Sequence, residues 1–179
     1  NIFGSGKQRS PMQVGRGDAF AGVVRNDIFV IGGLKNNNFD SLSITPVNEK
    51  YNISEDEWTF ESSMPLNGSN GRYGGMTVVV GDDIYCIGGI KWSRENNKFE
   101  VTNELEVYHP LTNTWDILSS MPTFPREGRW GVSMGVAEYI PELDGSQLDN
   151  YIYVLCGISD IKFVTRSYGS KGDTIVNSE

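Results

Sequence analysis

The chain has 179 residues, of which 38% are hydrophobic and 11% aromatic, a composition that suits a folded domain and argues against disorder. Its 15 Lys and Arg against 23 Asp and Glu give a net charge of −8, which repels phosphate backbones and anionic membrane surfaces. No apolar run approaches the roughly 18 residues that a transmembrane helix requires. We therefore expect neither nucleic acid nor a membrane as a partner.

Short strands of alternating apolar residues, separated by turn residues, follow one another along the chain. Three of them end alike, in "NDIFVIGGL" at 26–34, "DDIYCIGGI" at 82–90 and "NYIYVLCGI" at 150–158. Glycine weakens a strand and usually marks a tight turn or a close approach of another backbone. We therefore predict that each of these strands ends in a turn over a closely packed neighbour, with an altered turn at Cys156-Gly157.

These strands belong to a repeat of about 57 residues. Anchor residues recur in the same order, namely Arg16, Arg72 and Arg129, Tyr51 and Tyr108, Trp58 and Trp115, and the pairs Met64-Pro65 and Met121-Pro122. The third unit carries an insertion of 11 residues within 138–150. Each unit is predicted to form four antiparallel strands, which in the second unit lie at about 73–80, 83–89, 103–109 and 113–118.

Four-stranded units that repeat at roughly 50 residues are typical of a β-propeller. The chain is therefore predicted to be all-β, with about three four-stranded antiparallel blades in units of about 16–71, 72–128 and 129–179. Because propellers close with about four to eight blades, three blades form an incomplete ring. We expect the remaining blades to lie in the same chain or in a second copy.

The motifs resemble the kelch repeats. The similarity rests on "IFVIGG" and "IYCIGG", on "VYHPLTNTW", on a trailing "SSMP", and on a tyrosine followed seven residues later by a tryptophan. The third unit keeps Tyr168 but has Ile175 where the tryptophan is expected. The resemblance implies a propeller of six blades and a protein-interaction module without catalysis or cofactor, which binds a partner segment through the channel rim and the inter-strand loops.

Arg16, Arg72 and Arg129 are the most informative polar residues, because each begins a predicted innermost strand. Three guanidinium groups on one rim of the central channel, with Tyr73 and Trp130 beside two of them, would capture a carboxylate through bidentate hydrogen bonds. The resemblance implies that an acidic segment of a partner protein docks there. The alternative is structural, with each arginine capping carbonyl groups of the adjacent blade.

The segments 34–47 and 90–103 join second to third strands, and they are long and dissimilar in sequence. Variable loops on a repeated scaffold often carry recognition. Trp92 and Phe99 are apolar residues in the polar second loop, and we predict that they anchor a partner.

Other functions find less support in the sequence. The single histidine, His109, is predicted to be a turn residue rather than a metal ligand, and Trp58 and Trp115 are predicted to be mostly buried packing residues rather than a platform for sugar stacking. Two alternatives stay open: an enzyme similar to sialic-acid mutarotases, which would use the arginine rim for a sugar carboxylate, and an extracellular carbohydrate-binding propeller.

The compartment also stays open. Cys86 and Cys156 lie on strands of successive repeats and are predicted to be buried free thiols, which favours the cytoplasm. The sequons Asn52-Ile53-Ser54 and Asn67-Gly68-Ser69 would suit a secreted protein.

Overall fold

The computed structural model describes residues 8–35, 42–66 and 70–120, together with the backbone of two further strands at 135–139 and 150–154. The strands are β1 Phe20–Val24, β2 Asp27–Ile31, β3 Asn48–Asn52, β4 Glu57–Glu61, β5 Arg72–Tyr73, β6 Met76–Val80, β7 Asp83–Ile87, β8 Ile90–Ser93, β9 Lys98–Val101, β10 Leu105–His109, β11 Thr114–Ile117, β12 Gly135–Tyr139 and β13 Asn150–Val154. The described part of the chain contains no helix, and so none with the length and hydropathy that crossing a bilayer demands. The prediction of an all-β fold is confirmed.

Two four-stranded antiparallel sheets form the first two blades. The first blade has the order β1-β2-β3-β4, the second has the order β6-β7-β10-β11, and β12 pairs with β13 as two strands of a third. Because β1 contacts β6 and β6 contacts β12, the three sheets follow one another in chain order through their inner strands. The four-stranded blades of the predicted propeller are confirmed.

The strands of the second blade lie within the predicted spans, but its first strand begins at Met76 rather than at residue 73. Gly74, with a φ of 64°, ends β5 and separates it from β6. The boundaries of the three repeat units remain predictions, since most of the third unit falls outside the described residues.

The turns repeat in backbone conformation as well as in sequence. Asp56 and Asn113 occupy the turn between the third and fourth strands of their blades, with φ of 57° and 56°. Arg25 and Gly81 occupy the turn between the first and second strands, with φ of 56° and 63°. Equal turns fix equal strand registers, so equivalent residues of the two units face the same side of their sheets.

The double glycines lie where the backbone of another segment crosses the end of the second strand. Gly32 and Gly33 have φ of 66° and 108°, and a Cβ on Gly32 would lie 2.5 Å from the carbonyl oxygen of Arg72. A Cβ on Gly89, the counterpart of Gly33, would lie 2.6 Å from the carbonyl oxygen of Tyr73. The predicted tight turn over a packed neighbour is confirmed for both pairs, and Cys156-Gly157 lies outside the described residues.

The main hydrophobic core lies between the first and second blades. Its buried members are Phe20, Val24, Phe29 and Ile31 of the first blade, Ile84, Cys86 and Tyr108 of the second, and Met64 of the connector that follows β4. Fully burying one such side chain stabilises the fold by about 1.5–3 kcal/mol. The interface between the blades therefore holds the largest cluster of buried apolar side chains in the described part of the chain.

Candidate functional site

The guanidinium groups of Arg16 and Arg72 are buried within the blades. Arg16 forms an ion pair with Glu49, and Arg72 forms the equivalent pair with Glu106; all four side chains are at most 2% exposed. An ion pair withdrawn from water in this way is costly to break, because the remaining partner becomes an uncompensated buried charge.

Backbone carbonyl groups complete the surroundings of both arginines. Arg16 donates to the carbonyl oxygens of Val14 at 2.7 Å and Val30 at 2.8 Å. Arg72 donates to the carbonyl oxygens of three residues, namely Gly88 at 2.5 Å, Glu104 at 3.0 Å and Cys86 at 3.2 Å. Burial lowers the pKa of Arg72, but arginine remains charged in proteins. These carbonyl groups and Glu106 therefore accept hydrogen bonds from a positively charged guanidinium group.

This geometry corresponds to the structural alternative, with one correction: each arginine caps carbonyl groups of its own blade, not of the adjacent one. A sugar carboxylate at the rim would need exposed guanidinium groups, and those of Arg16 and Arg72 face internal partners. That Arg16, Arg72 or Arg129 contacts a partner stays a prediction. Arg129 and Trp130 lie outside the described residues.

The glutamates of these pairs escaped the sequence analysis. Glu49 and Glu106 each stand two residues before the repeated tyrosine and are 57 residues apart, so the repeat itself marks them. Glu49 also accepts hydrogen bonds from the backbone N–H groups of Gln13 at 2.7 Å and Val14 at 3.1 Å. A charged residue that recurs on a strand at the repeat period indicates a buried partner for the recurring arginine.

The segment 90–103, predicted to be a loop, contains a β-hairpin. Strands β8 and β9 pair with each other, and β8 pairs with β5, which gives a separate three-stranded sheet. The letters "IKWS" and "KFEV" alternate with a period of two around the turn "RENN", where Asn97 has a φ of 50°. The first unit has a reduced form of this sheet, the bridges Gly17↔Leu34 and Leu34↔Ile44.

Tyr73, Trp92 and Phe99 form an aromatic cluster on this small sheet. Trp92 and Phe99 lie opposite each other in the hairpin with ring centroids 5.0 Å apart, and Phe99 meets Tyr73 edge-on at 6.3 Å. The cluster rests on the buried residues Leu34, Ile44 and Ile90, so both units support it. Trp92 and Phe99 remain partly exposed. The structure thus brings together three of the predicted site residues.

The hairpin is locally basic on an acidic chain. Residues 91–98, "KWSRENNK", carry three cationic side chains and one carboxylate. Lys91 pairs with Glu104 at 2.6 Å, whereas Lys98 is 65% exposed and lies 3.6 Å from Glu100. Arg94 is exposed and donates to the amide oxygen of Asn70 at 2.8 Å, and within the described residues no carboxylate lies at ion-pair distance from it.

Arg94 and Lys98 are therefore candidate binding residues that the sequence analysis missed. Their sign of charge, opposite to that of the whole chain, was visible in the local sequence. Whether this charge is free to bind a partner depends on the side chains around it, and the folded hairpin determines which side chains those are.

Trp58 and Trp115 have equivalent surroundings and are partly buried. Each packs against the tyrosine of the neighbouring strand, Tyr51 or Tyr108, at a centroid distance of 5.0 Å. The indole N–H of Trp58 donates to the carbonyl oxygen of Ser10, and that of Trp115 donates to the carbonyl oxygen of Ser62, both at 2.8 Å. These contacts fit packing residues that hold the chain connector on the outer strand.

His109 lies in β10 beside the turn and contacts two carboxylates. Its Nδ1 atom is 2.7 Å from Asp83 and its Nε2 atom is 3.3 Å from Asp116. The hydrogen bond to Asp83 is the main cause of a raised pKa of His109. Among the described residues no group of His, Cys, Asp and Glu has an arrangement that would hold a metal ion.

Comparison with known proteins gives consistent matches. The Kelch motif family matches residues 15–65 and again residues 71–122. Kelch repeat protein B10 of Vaccinia virus is 32% identical over 111 residues, which cover 62% of this chain and 68% of that protein. Kelch-like protein terF of Aspergillus terreus is 33% identical over 111 residues, but these cover 61% of this chain and only 22% of terF.

Two further matches cover small parts of larger chains. Kelch-like protein 23 of Mus musculus is 32% identical over 95 residues, which cover 53% of this chain and 15% of that protein. The solved structure of YjhT superposes with a TM-score of 0.55 over 73% of this chain and 33% of YjhT, at 19% sequence identity, and is similar in fold.

Proposed function

The chain belongs to the kelch-repeat family, and from that premise we propose that it is a protein-interaction module whose second unit binds an acidic segment of a partner protein. The observation that carries the proposal is the position of the aromatic cluster on a basic hairpin of an acidic chain. Trp92 and Phe99 offer partly exposed aromatic surface, and Arg94 and Lys98 offer exposed positive charge beside it.

The two kinds of side chain have different tasks in this proposal. Aromatic anchors in the centre of an interface supply most of the binding free energy, because they bury a large area at a small cost in side-chain entropy. Exposed charges at the rim mainly steer the partner and select its sign. Arg94 suits a carboxylate well, because its planar guanidinium group binds two oxygens at once.

The remaining predicted residues take other places in the proposal. Tyr73 supports Phe99 from the small sheet. Burial of Tyr73, and to a smaller extent the negative charge of Asp18, raises the pKa of Tyr73, so its hydroxyl group stays neutral. Arg16, Arg72, Arg129 and Trp130 remain proposed contacts along the channel rim. The other blades of the ring are proposed to come from the same chain or from a second copy.

A peptide titration tests the proposal. The probe is a fluorescein-labelled peptide of about nine residues that alternates glutamate with leucine, and its anisotropy is followed as protein is added. We expect Trp92→Ala to weaken binding by about 10-fold or more, Arg94→Gln to weaken it by a few-fold, and added salt to weaken it in the wild type.

A matched control distinguishes local from overall charge. Arg25 is 63% exposed in the β1–β2 turn, at the strand end opposite to the hairpin, so Arg25→Gln removes the same charge elsewhere. Binding should be unchanged in Arg25→Gln. Equal weakening in Arg25→Gln and Arg94→Gln, or full affinity in a folded Trp92→Ala protein, would refute the site.

A further inference from the structure

The two lysines of the basic hairpin already have carboxylate partners within the chain. Lys91 of β8 forms an ion pair with Glu104 at 2.6 Å, and Lys98 of β9 lies 3.6 Å from the carboxylate of Glu100. Both glutamates are more deeply buried than an exposed surface carboxylate would be, with side chains 19% and 26% exposed. The positive charge of each lysine is therefore matched before any partner arrives.

The carboxylate of Glu100 is held in place from two sides. Its Oε1 atom accepts a hydrogen bond from the side-chain amide of Asn96 at 2.8 Å, and the same oxygen faces the ammonium group of Lys98. A partner carboxylate that approaches Lys98 also approaches the negative charge of Glu100, and like charges repel. Lys98 is thus exposed but poorly suited to bind a second carboxylate.

Arg94, in the turn of the same hairpin, has a neutral partner instead. Its Nη2 atom donates a hydrogen bond to the amide oxygen of Asn70 at 2.8 Å, and Asn70 belongs to the connector that precedes β5. A guanidinium group carries five N–H donors in a planar fork. One donor holds Arg94 to the connector, and others remain for the two oxygens of a carboxylate.

We propose that Asn70 and Glu100 select the cation of the hairpin that recognises the partner. Asn70 orients Arg94 and leaves its charge uncompensated, whereas Glu100 withdraws Lys98 from the site. Arg94 then binds the carboxylate, so the partner segment needs one acidic residue beside its apolar ones. The inference rests on the proposed function and deepens it, because it names the residues that set the charge preference of the same site.

Substitutions of Asn70 test its role as a positioning residue for Arg94. Asn70→Asp keeps the shape and the acceptor but adds a negative charge, and we expect it to weaken binding of the labelled glutamate–leucine peptide by a few-fold, as Arg94→Gln does. Asn70→Ala loses the hydrogen bond but leaves Arg94 charged, and it should weaken binding less. A merely structural role would give the reverse order, because aspartate preserves the hydrogen bond and alanine does not.

The isosteric change at Glu100 should have the opposite effect. Glu100→Gln removes the negative charge beside Lys98, and we expect the peptide to bind about two- to five-fold more tightly. The control is Glu95→Gln, which removes the same charge from an exposed turn residue of the hairpin that has no ion pair among the described residues. Its gain should be smaller, and the gain from Glu100→Gln should disappear in a Lys98→Gln background.

Two results would overturn the inference while the peptide still binds to the wild type. One is an equal gain in Glu100→Gln and Glu95→Gln, and the other is an effect of Asn70→Asp that persists in an Arg94→Gln background. A wild-type chain that does not bind the peptide would refute the proposed function and this inference together. Melting temperatures check that each variant folds, and if an Asn70 variant does not, the Glu100 comparison decides, since Glu100 lies on a different segment.

Discussion

At the scale of single residues, each of the two described blades contains a buried ion pair between an arginine and a glutamate. The Arg16–Glu49 and Arg72–Glu106 pairs join the segment that enters each blade to its third strand. Three arginines at a regular spacing in the sequence suggest a ring of exposed guanidinium groups. The same regularity is expected of a structural ion pair, because equivalent strands pack in the same way in every blade.

Removing one partner of such a pair tests its structural role. Arg72→Ala leaves Glu106 buried and uncompensated, and we expect the free energy of unfolding to fall by about 3–5 kcal/mol, as measured by urea denaturation. Arg94→Ala, which removes an exposed arginine, should change it by less than about 0.5 kcal/mol. The double variant Arg72→Met/Glu106→Leu should recover much of the loss. An Arg72→Ala protein with the wild-type midpoint would contradict the buried pair.

His109 makes a small part of the stability depend on pH. Because the contacts with Asp83 and Asp116 raise its pKa in the folded chain, its contribution is complete below the unfolded value of about 6.5 and is lost as pH rises through the folded value. The difference in melting temperature between wild type and His109→Gln should therefore be larger at about pH 5.5 than at about pH 8.5. The same difference at both pH values would argue against this contribution.

At the scale of structural elements, the glycine turns show what the repeat demands of the backbone. Gly32 and Gly81 have almost the same φ, 66° and 63°. Only Gly32 is crowded, since the carbonyl oxygen of Arg72 lies 2.5 Å from its would-be Cβ, whereas nothing lies within 4 Å at Gly81. The two positions therefore separate backbone strain from steric overlap.

Alanine at each position provides the measurement. Gly81→Ala should cost about 1–2 kcal/mol, the strain of a left-handed conformation alone. Gly32→Ala should cost clearly more, because the backbone of Arg72 must also move. Equal shifts of the denaturation midpoint in the two variants would show that the close approach carries no energetic weight.

The sequence predicted the strands of the second blade well because period-two alternation, turn residues and a 57-residue repeat all agree there. It did not predict the β8–β9 hairpin, because the polar turn residues 94–97 interrupt the alternation of the two strands and favour a long loop over the whole segment. It also missed Glu49 and Glu106, because pairing residues more than 30 positions apart requires the strand register. The availability of Arg94 depends on neighbours that only the folded hairpin brings close.

At the scale of the whole molecule, the surface of the described blades reflects both the repeat and the places where the sequence departs from the repeat. The two described blades repeat closely in turns, glycines and ion pairs. The unit-specific part is the small sheet β5-β8-β9, which is extended in the second unit and reduced to two bridges in the first. A shared scaffold with one elaborated loop is the usual way in which repeat proteins acquire a distinct binding surface.

The central claim is that the hairpin and its aromatic cluster bind the partner. Hydrogen–deuterium exchange of the chain, measured with and without the glutamate–leucine peptide, tests this claim most directly. We predict that the bound peptide slows exchange of backbone amides in residues 90–101 and leaves the β1–β2 turn at Arg25 unchanged. Saturating peptide that slows exchange elsewhere in the chain but not in residues 90–101 would contradict the claim.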